Sequence, residues 1–360
     1  VIYCLQISDR KTEIAPACLV KLSISQHLMK KTVAFSKNST NVFFHILTRC
    51  NLKCRHCYIN PDQHGKEDLP ISLIEKWLGL FVRPGRDANL ILLGGEPTLH
   101  PDLDKAVAAA RELGYASVTI DTNGYLFHDI LDRVSPDMVD FFSFSIDGPT
   151  AGINDPIRGA GSFDRCVAGI RKAKARGFST SLIFTASAEN IASLSDMPPL
   201  LRDLGIDRFF IQVIGIRGRS AEKGADRFQV SKKTWETLVP EVAARVADSG
   251  ITVTWPKVFL KPEEPFECAG NVADDYFIFP NGRVYRCPLC EDYPVHGMEI
   301  IDDRLVRRGK INEIDLFSLN IPEGCVMNRL IQGGNLAYGR DGTPEYKIAC
   351  CLLKEEIPGS

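Results

Sequence analysis

No run of this chain is apolar for long enough to cross a membrane, so a soluble protein with no membrane contact is expected. Charge of one sign is missing as well. The net charge is −2 over 360 residues, which gives no electrostatic footing for nucleic acid or for a polybasic membrane contact. No basic-flanked signal segment opens the chain: residues 1–5 are apolar but short. The first residue is Val1 rather than methionine, as in a processed or incomplete N-terminus. A disulfide framework is also lacking. There are twelve cysteines, but most gather in ligand-like groups rather than spreading along the chain, which points to a reducing cytoplasm and metal–thiolate chemistry. Cys4, Cys18 and Cys166 stand apart from those groups and read as buried packing residues. With 44% hydrophobic residues, the chain can bury a large core and form more than one module.

The densest group is Cys50, Cys54 and Cys57, directly after the apolar run 42–47. Three thiolates so close together suit one metal centre on a strand-to-loop exit. Iron–sulfur clusters most often take four thiolates, and no fourth cysteine lies nearby, so one iron would stay open to a ligand other than protein. Tetrahedral zinc is the rival, although its loops usually join two close ligands to a distant pair.

From residue 42, apolar strand-like runs alternate with amphipathic helix-like segments. Strands are expected over 42–48, 89–93, 117–121, 141–146, 179–185 and 208–214, and helices over 71–82, 101–112, 127–134, 162–176 and 192–204. In the second helix, Pro101 suits the first turn, Leu103, Ala106, Val107 and Ala110 share a face, and Gly114 suits the stop. Such alternation implies a parallel sheet covered by helices, and six β/α units imply a partial, open TIM-like barrel. Its chemistry belongs at the C-terminal ends of the strands. There lie the three cysteines, Gly94-Gly95-Glu96-Pro97, Asp121-Thr122-Asn123-Gly124, and Ser145-Ile146-Asp147-Gly148-Pro149 followed by Asn154, Asp155 and Arg158. Paired glycines let backbone approach a ligand, Glu96 can accept from an ammonium group, and Arg158 can grip a carboxylate. Around an open iron, that set describes a site for an amino acid.

The three-cysteine spacing, the Gly-Gly-Glu-Pro segment and the Ser-Ile-Asp-Gly-Pro segment together resemble the radical S-adenosylmethionine (radical SAM) superfamily over about 42–215. The resemblance implies that Cys50, Cys54 and Cys57 hold a 4Fe–4S cluster whose fourth iron chelates the methionine amino and carboxylate groups of S-adenosylmethionine. By the same resemblance His56 lies near the adenine and Gly94, Gly95 and Glu96 contact the methionyl amine. Ser145 touches ribose or carboxylate, and Arg158 clamps the carboxylate. Reductive cleavage would then give methionine and a 5′-deoxyadenosyl radical that abstracts hydrogen from an unactivated C–H bond. The stretch from Asp147 through Arg158 to Gly161-Ser162-Phe163 is closest to the branch containing sulfatase and peptide maturases.

The rhythm changes after about residue 220, with a helix over 234–247 and then shorter β-like pieces. Residues 275–279 and 283–285 read as a hairpin around Pro280-Asn281-Gly282. Cys268, this hairpin and Cys287 resemble the opening of SPASM and twitch domains, which bind auxiliary iron–sulfur clusters. The dense downstream run of four cysteines expected of a full SPASM domain is absent, and Asn328 stands where a further cysteine after Cys325 would fall. One auxiliary 4Fe–4S cluster is therefore expected, with Cys268 and Cys287 as ligands and Cys290, Cys325 and Cys350 or Cys351 competing for the rest. Zinc is the alternative there. Pro288 occupies the position at which sulfatase maturases carry an acidic base, so sulfatase maturation is not expected unless Glu291 or Asp292 substitutes. No catalytic acid or base stands out; Asp274, Tyr276, Tyr285 and Cys290 could face the cavity or pack.

The expected organisation is an unassigned segment 1–40, a radical SAM partial barrel 41–220, a helical linker 221–262 and a smaller α+β twitch- or SPASM-like domain 263–360. The leading functional expectation is a radical SAM oxidoreductase or maturase. It would act on a ribosomally made peptide and draw electrons from a donor such as flavodoxin or ferredoxin. A small-molecule role, in tetrapyrrole, carbohydrate or other cofactor pathways, is the alternative. A non-catalytic iron–sulfur carrier would explain the thiols but not Glu96, Arg158 or the 145–147 segment.

Overall fold

The computed structural model describes residues 30–33, 38–221 and 228–360; most of the unassigned N-terminal segment, with Cys4 and Cys18, lies outside them. In chain order the strands are β1 (Lys31–Val33), β2 (Ser39–Leu47), β3 (Asp87–Gly94), β4 (Ser117–Thr122), β5 (Phe141–Ser145), β6 (Thr180–Ala186), β7 (Arg208–Val213) and β8 (Thr252–Pro256). Then come β9 (Phe259–Leu260), β10 (Asp274–Ile278), β11 (Arg283–Tyr285), β12 (Met298–Ile301), β13 (Arg304–Arg307), β14 (Lys347–Ile348) and β15 (Lys354–Ile357).

The six expected strands form as β2 to β7, adjacent and parallel. Burial alternates along β4 and β6. On β6, Leu182 and Phe184 are sealed beneath the helices, while Ser181, Ile183 and Thr185 are only half-buried on the opposite face. The apolar runs thus cover one face, and the other lines a space inside the curved sheet.

The parallel run is longer than expected. The helix Lys232–Ala247, capped by Ser231 Oγ accepting from Thr234 N at 3.2 Å, leads into β8, which pairs parallel to β7. The stretch 221–262, expected as a linker, therefore carries a further β/α unit. At the other end β10 pairs parallel to β2, stacking Phe277 on Phe43 at 4.5 Å between ring centroids. The hairpin of β10 and β11 turns on Gly282, whose φ of +82° only glycine adopts without strain. The ends of the parallel run do not meet. β8 continues into antiparallel β15 and β1, and β10 into antiparallel β11, β12 and β13.

Two differences arise from local backbone. The helix expected over 127–134 shrinks to Ile130–Arg133, because Leu126, His128 and Asp129 all take positive φ. A helix that apolar periodicity does not signal, Ala151–Arg158, follows β5 despite Pro156 and places Arg158 in its last turn. Gly114, with φ +87°, closes the helix Leu103–Glu112 as expected. Besides the main core, a smaller cluster that includes Phe277, Phe279, Tyr285 and Leu289 encloses Cys290 and Cys325.

Candidate radical SAM site

β2 ends at Leu47 and its exit loop carries Cys50, Cys54 and Cys57, each half-buried and in no disulfide. Gly94 and Gly95 hold that loop against β3. A Cβ on Gly94 would lie 2.1 Å from Leu47 O, and one on Gly95 2.2 Å from Arg49 O. Gly95 N donates to Leu47 O at 3.1 Å and Glu96 N to Arg49 O at 3.0 Å. The glycines thus admit the cysteine loop's own backbone. Gly95→Ala should destabilise the fold by about 1–3 kcal/mol and lower the iron bound per chain, read by urea unfolding and iron analysis. Wild-type values for both would show that the loop relaxes freely.

Burial pushes the Cys50 thiol up to about 12 and raises that of Cys54. Metal binding at these thiols must therefore expel protons. Leu52 N donates to Cys50 Sγ at 3.3 Å, and Cys54 Sγ lies 3.7 Å from Arg158 O. Those contacts leave the sulfurs room to ligate.

Glu96 is buried and held by four donors. Oε1 accepts from Thr98 N at 3.1 Å, Thr98 Oγ1 at 2.6 Å and Thr122 Oγ1 at 2.8 Å, and Oε2 from Asn123 N at 2.7 Å. Burial raises its pKa and these bonds oppose the rise. Oε2, with one donor, retains acceptor capacity toward the cavity. Asn123 also donates to Asn51 Oδ1 at 2.7 Å, tying the end of β4 to the cysteine loop.

Asp147, fully buried, organises the other wall. Its Oδ1 accepts from Thr185 N at 2.7 Å, and its Oδ2 lies 2.5 Å from Arg158 Nε and 3.3 Å from His56 Nε2. Burial works against the charge on Arg158, but Asp147 holds its pKa above the ordinary value. Burial lowers His56 to about 4, with Asp147 opposing, so the ring is neutral near pH 7. Cys50, Cys54, Cys57, His56, Gly94, Gly95, Glu96, Ser145 and Arg158 all line one cavity of about 190 Å³. Ser145 ends β5, and its carbonyl faces the thiol of Cys166 at 3.7 Å; Cys166 is buried.

A larger cavity of about 410 Å³ adjoins this one beneath the C-terminal segment, and Tyr58, Leu93, Asp121, Gln212 and Arg217 border both. Several of these residues carry chemistry that sequence reasoning left unassigned. Tyr58 and His45 Nε2 are 2.8 Å apart, and His45 Nδ1 is 2.9 Å from Ile278 O. A carbonyl can only accept, so Nδ1 carries the proton and Nε2 accepts from the phenol. Arg217 lies 4.6 Å from the Tyr58 ring centroid, donates to Glu291 Oε2 at 2.7 Å and also bonds Pro288 O. Gly218 N donates to Asp292 Oδ2 at 2.7 Å, and Arg219 N to Cys57 O at 2.9 Å. Glu291 and Asp292 are thus engaged in fixing the loop after β7. The sequence places Asp121 at a strand's C-terminal end without giving it a role, and only the position after Cys57 could have flagged Tyr58.

Burial raises Asp121 to about 7, opposed by Ser143 and reinforced by Glu96. Between the ordinary carboxylate range and about pH 7, the folded chain keeps a proton that the unfolded chain releases. Folding stability should therefore fall as pH rises through that window. Urea unfolding at about pH 5 and about pH 7 should show a smaller fall in Asp121→Asn than in the unaltered chain. Equal falls would place the titration elsewhere.

The C-terminal thiols share one neighbourhood. Burial first, then charge on Cys350 and Cys287, raises Cys268; burial, then charge on Cys287, Cys350 and Cys268, raises Cys325; and the neighbouring Cys350 thiol first, then burial and charge on Cys287 and Cys325, raises Cys351. The thiol of Cys290 raises that of Cys287, and the thiol of Cys351 lowers that of Cys350. Among the described residues no three or more Cys, His, Asp or Glu side chains are close enough to hold a single metal ion. A cubane several ångströms across spaces its thiolates more widely than one ion does. Asp274, Tyr276, Tyr285 and Cys290 border neither cavity: Tyr276 donates to Asp274 at 2.8 Å and Tyr285 to Tyr293 O at 2.9 Å.

Residues 44–197 match the Radical SAM superfamily. The chain belongs to the radical SAM superfamily. Superfamily enzymes use a 4Fe–4S cluster and S-adenosylmethionine. Among curated relatives, this radical SAM chain is 34% identical over 192 residues to a pre-heme d1 synthase of Dinoroseobacter shibae, covering 51% of this chain and 46% of that one. It is 31% identical over 268 residues to the mycofactocin maturase MftC of Mycobacterium ulcerans, covering 67% and 66%. The matches therefore span about half to two thirds of those relatives' lengths. Streptococcus suis SuiB shares the fold, with a TM-score of 0.59 at 15% identity over 82% of this chain and 66% of SuiB. Among the described residues, no helix is long and apolar enough to cross a membrane.

Proposed function

We propose that this chain is a radical SAM enzyme that abstracts hydrogen from an unactivated C–H bond of a substrate lodged in the larger cavity. The observation that carries the reading is the adjacency of the two cavities. Groups on one side of Tyr58, Asp121 and Gln212 can present a reactive carbon to a ligand on the other. In this reading Cys50, Cys54 and Cys57 hold the 4Fe–4S cluster, Glu96 Oε2 accepts from the methionyl amine, and Arg158, fixed by Asp147, faces the carboxylate. Ser145 and the neutral His56 line the nucleoside side. When bound, the cluster and S-adenosylmethionine supply a 5′-deoxyadenosyl radical. The protein's part is to orient the substrate and exclude water and oxygen.

The C-terminal thiols, drawn from Cys268, Cys287, Cys290, Cys325, Cys350 and Cys351, would hold one auxiliary 4Fe–4S cluster in a twitch-like arrangement that passes electrons. Flavodoxin or ferredoxin would reduce the first cluster. A peptide is the proposed substrate. The match to MftC, a maturase, extends over 67% of the chain, and SuiB, whose fold is shared, has been solved bound to its precursor peptide SuiA. A second reading, a small molecule, is favoured by the compact, largely apolar cavity and by relatives named pre-heme d1 synthase and Fe-coproporphyrin III synthase.

The anaerobically reduced chain, given S-adenosylmethionine, should release methionine and 5′-deoxyadenosine. Cluster binding without affinity for S-adenosylmethionine in a titration would instead identify an iron–sulfur carrier.

A further inference from the structure

The larger cavity has mostly apolar walls, with Phe43, Phe210 and Phe277 projecting from β2, β7 and β10. One ammonium group stands among them. Lys354 opens β15, donates from Nζ to Cys351 O at 3.1 Å, and sits 4.5 Å from the Phe210 ring centroid. Among the described residues no carboxylate forms an ion pair with it. The acidic groups whose charge reaches it are the Cys351 and Cys350 thiols and then Asp275, which already accepts from Asn41 at 2.7 Å. Arg217, the other cation in the wall, is taken by Glu291. Lysine has three donors, and here one neutral acceptor and one aromatic face serve them. A half-buried charge with so few partners is better satisfied when an anion joins it.

Resting on the function proposed above, we propose that this cavity seats a substrate portion with an apolar body and a carboxylate, the carboxylate lying on Lys354. The three phenylalanine rings pack the body. The ammonium then fixes one end of the ligand, which sets the carbon facing the smaller cavity.

The test is isothermal titration of the full, anaerobically reconstituted chain with S-adenosylmethionine present. Phenylbutyrate is compared with phenylbutyramide, and acetylated, amidated Phe-Glu-Phe with Phe-Gln-Phe. At least one acid should bind about tenfold or more tightly than its amide, Lys354→Met should erase the difference, and Lys354→Arg should keep it. A preference confined to the free acid indicates a small molecule, and one confined to the peptide indicates a peptide. If Lys354→Met fails to fold, Lys354→Gln takes its place. Equal binding of acid and amide, no binding of either acid at millimolar concentration, or a preference that survives loss of the ammonium overturns the proposal. So does a variant that shifts the reduction potential of the C-terminal cluster while the acid preference stays, because Lys354 would then serve the thiolates. Cleavage of S-adenosylmethionine, followed in the same samples, reports separately on the proposed function. Acid preference without cleavage sinks that function alone, and cleavage without preference sinks this inference alone.

Discussion

Cys54→Ala should abolish cleavage of S-adenosylmethionine and remove about four irons and four sulfides per chain. The loop after β2 offers three thiols, so the loss of one leaves two, too few to retain a cluster at this half-buried strand exit. Cys54 is the middle thiol and sits against Ala151–Arg158, with its sulfur 3.7 Å from Arg158 O while Arg55 N donates to Ile157 O at 2.9 Å. The six C-terminal thiols are untouched by this change, so iron bound there should remain. The control is Cys166→Ala, which removes a buried thiol assigned to packing and should leave iron content unchanged. Cleavage that persists in Cys54→Ala would refute the assignment of this loop to the first cluster.

Asp147→Ala should cost about 3–5 kcal/mol of folding stability and weaken binding of S-adenosylmethionine, because it strands a buried guanidinium. The carboxylate lies 2.5 Å from Arg158 Nε and 3.3 Å from His56 Nε2, and without it Thr185 N loses its acceptor. Asn154 Oδ1 accepts from Asp147 N at 2.9 Å and Asn190 donates to Asp147 O at 3.0 Å, so the backbone is held in place and cannot relax toward a substitute. Combining Asp147→Ala with Arg158→Met should recover part of the stability, since the unpaired charge is then gone. Urea unfolding and an S-adenosylmethionine titration read both effects. A loss below about 1 kcal/mol in the single variant would mean that water reaches the site and solvates Arg158.

Much of this arrangement was legible in one dimension. Apolar runs of five to seven residues between amphipathic segments located β2 to β7, because strand propensity and burial agree there. Gly-Gly-Glu-Pro and the cysteine triplet marked one end of the sheet because both are local in sequence. Interactions set by register were not legible. Asp147 reaches Thr185 across 38 residues, and Tyr58 is held under Arg217 from another strand exit. Nothing in a single stretch signals either contact. The glycines illustrate a subtler gap: their need to admit close backbone was readable, but the backbone they admit belongs to the cysteine loop. The pairing of β10 with β2 escaped because the hairpin pattern accounts for one edge of β10 and leaves the other edge unspecified.

β10, the last parallel strand beyond β2, and β15, the antiparallel strand beside β8, both come late in the chain. During synthesis the inner strands emerge first, and the outward edges of β2 and β8 stay open until residues 274–278 and 354–357 have left the ribosome. An open apolar strand edge is a template for pairing with other chains. Shortening the protein from its C-terminal side would therefore expose β8 as well as disturb the thiols beside it. Aggregation during expression would then precede, and mask, any effect on cluster content.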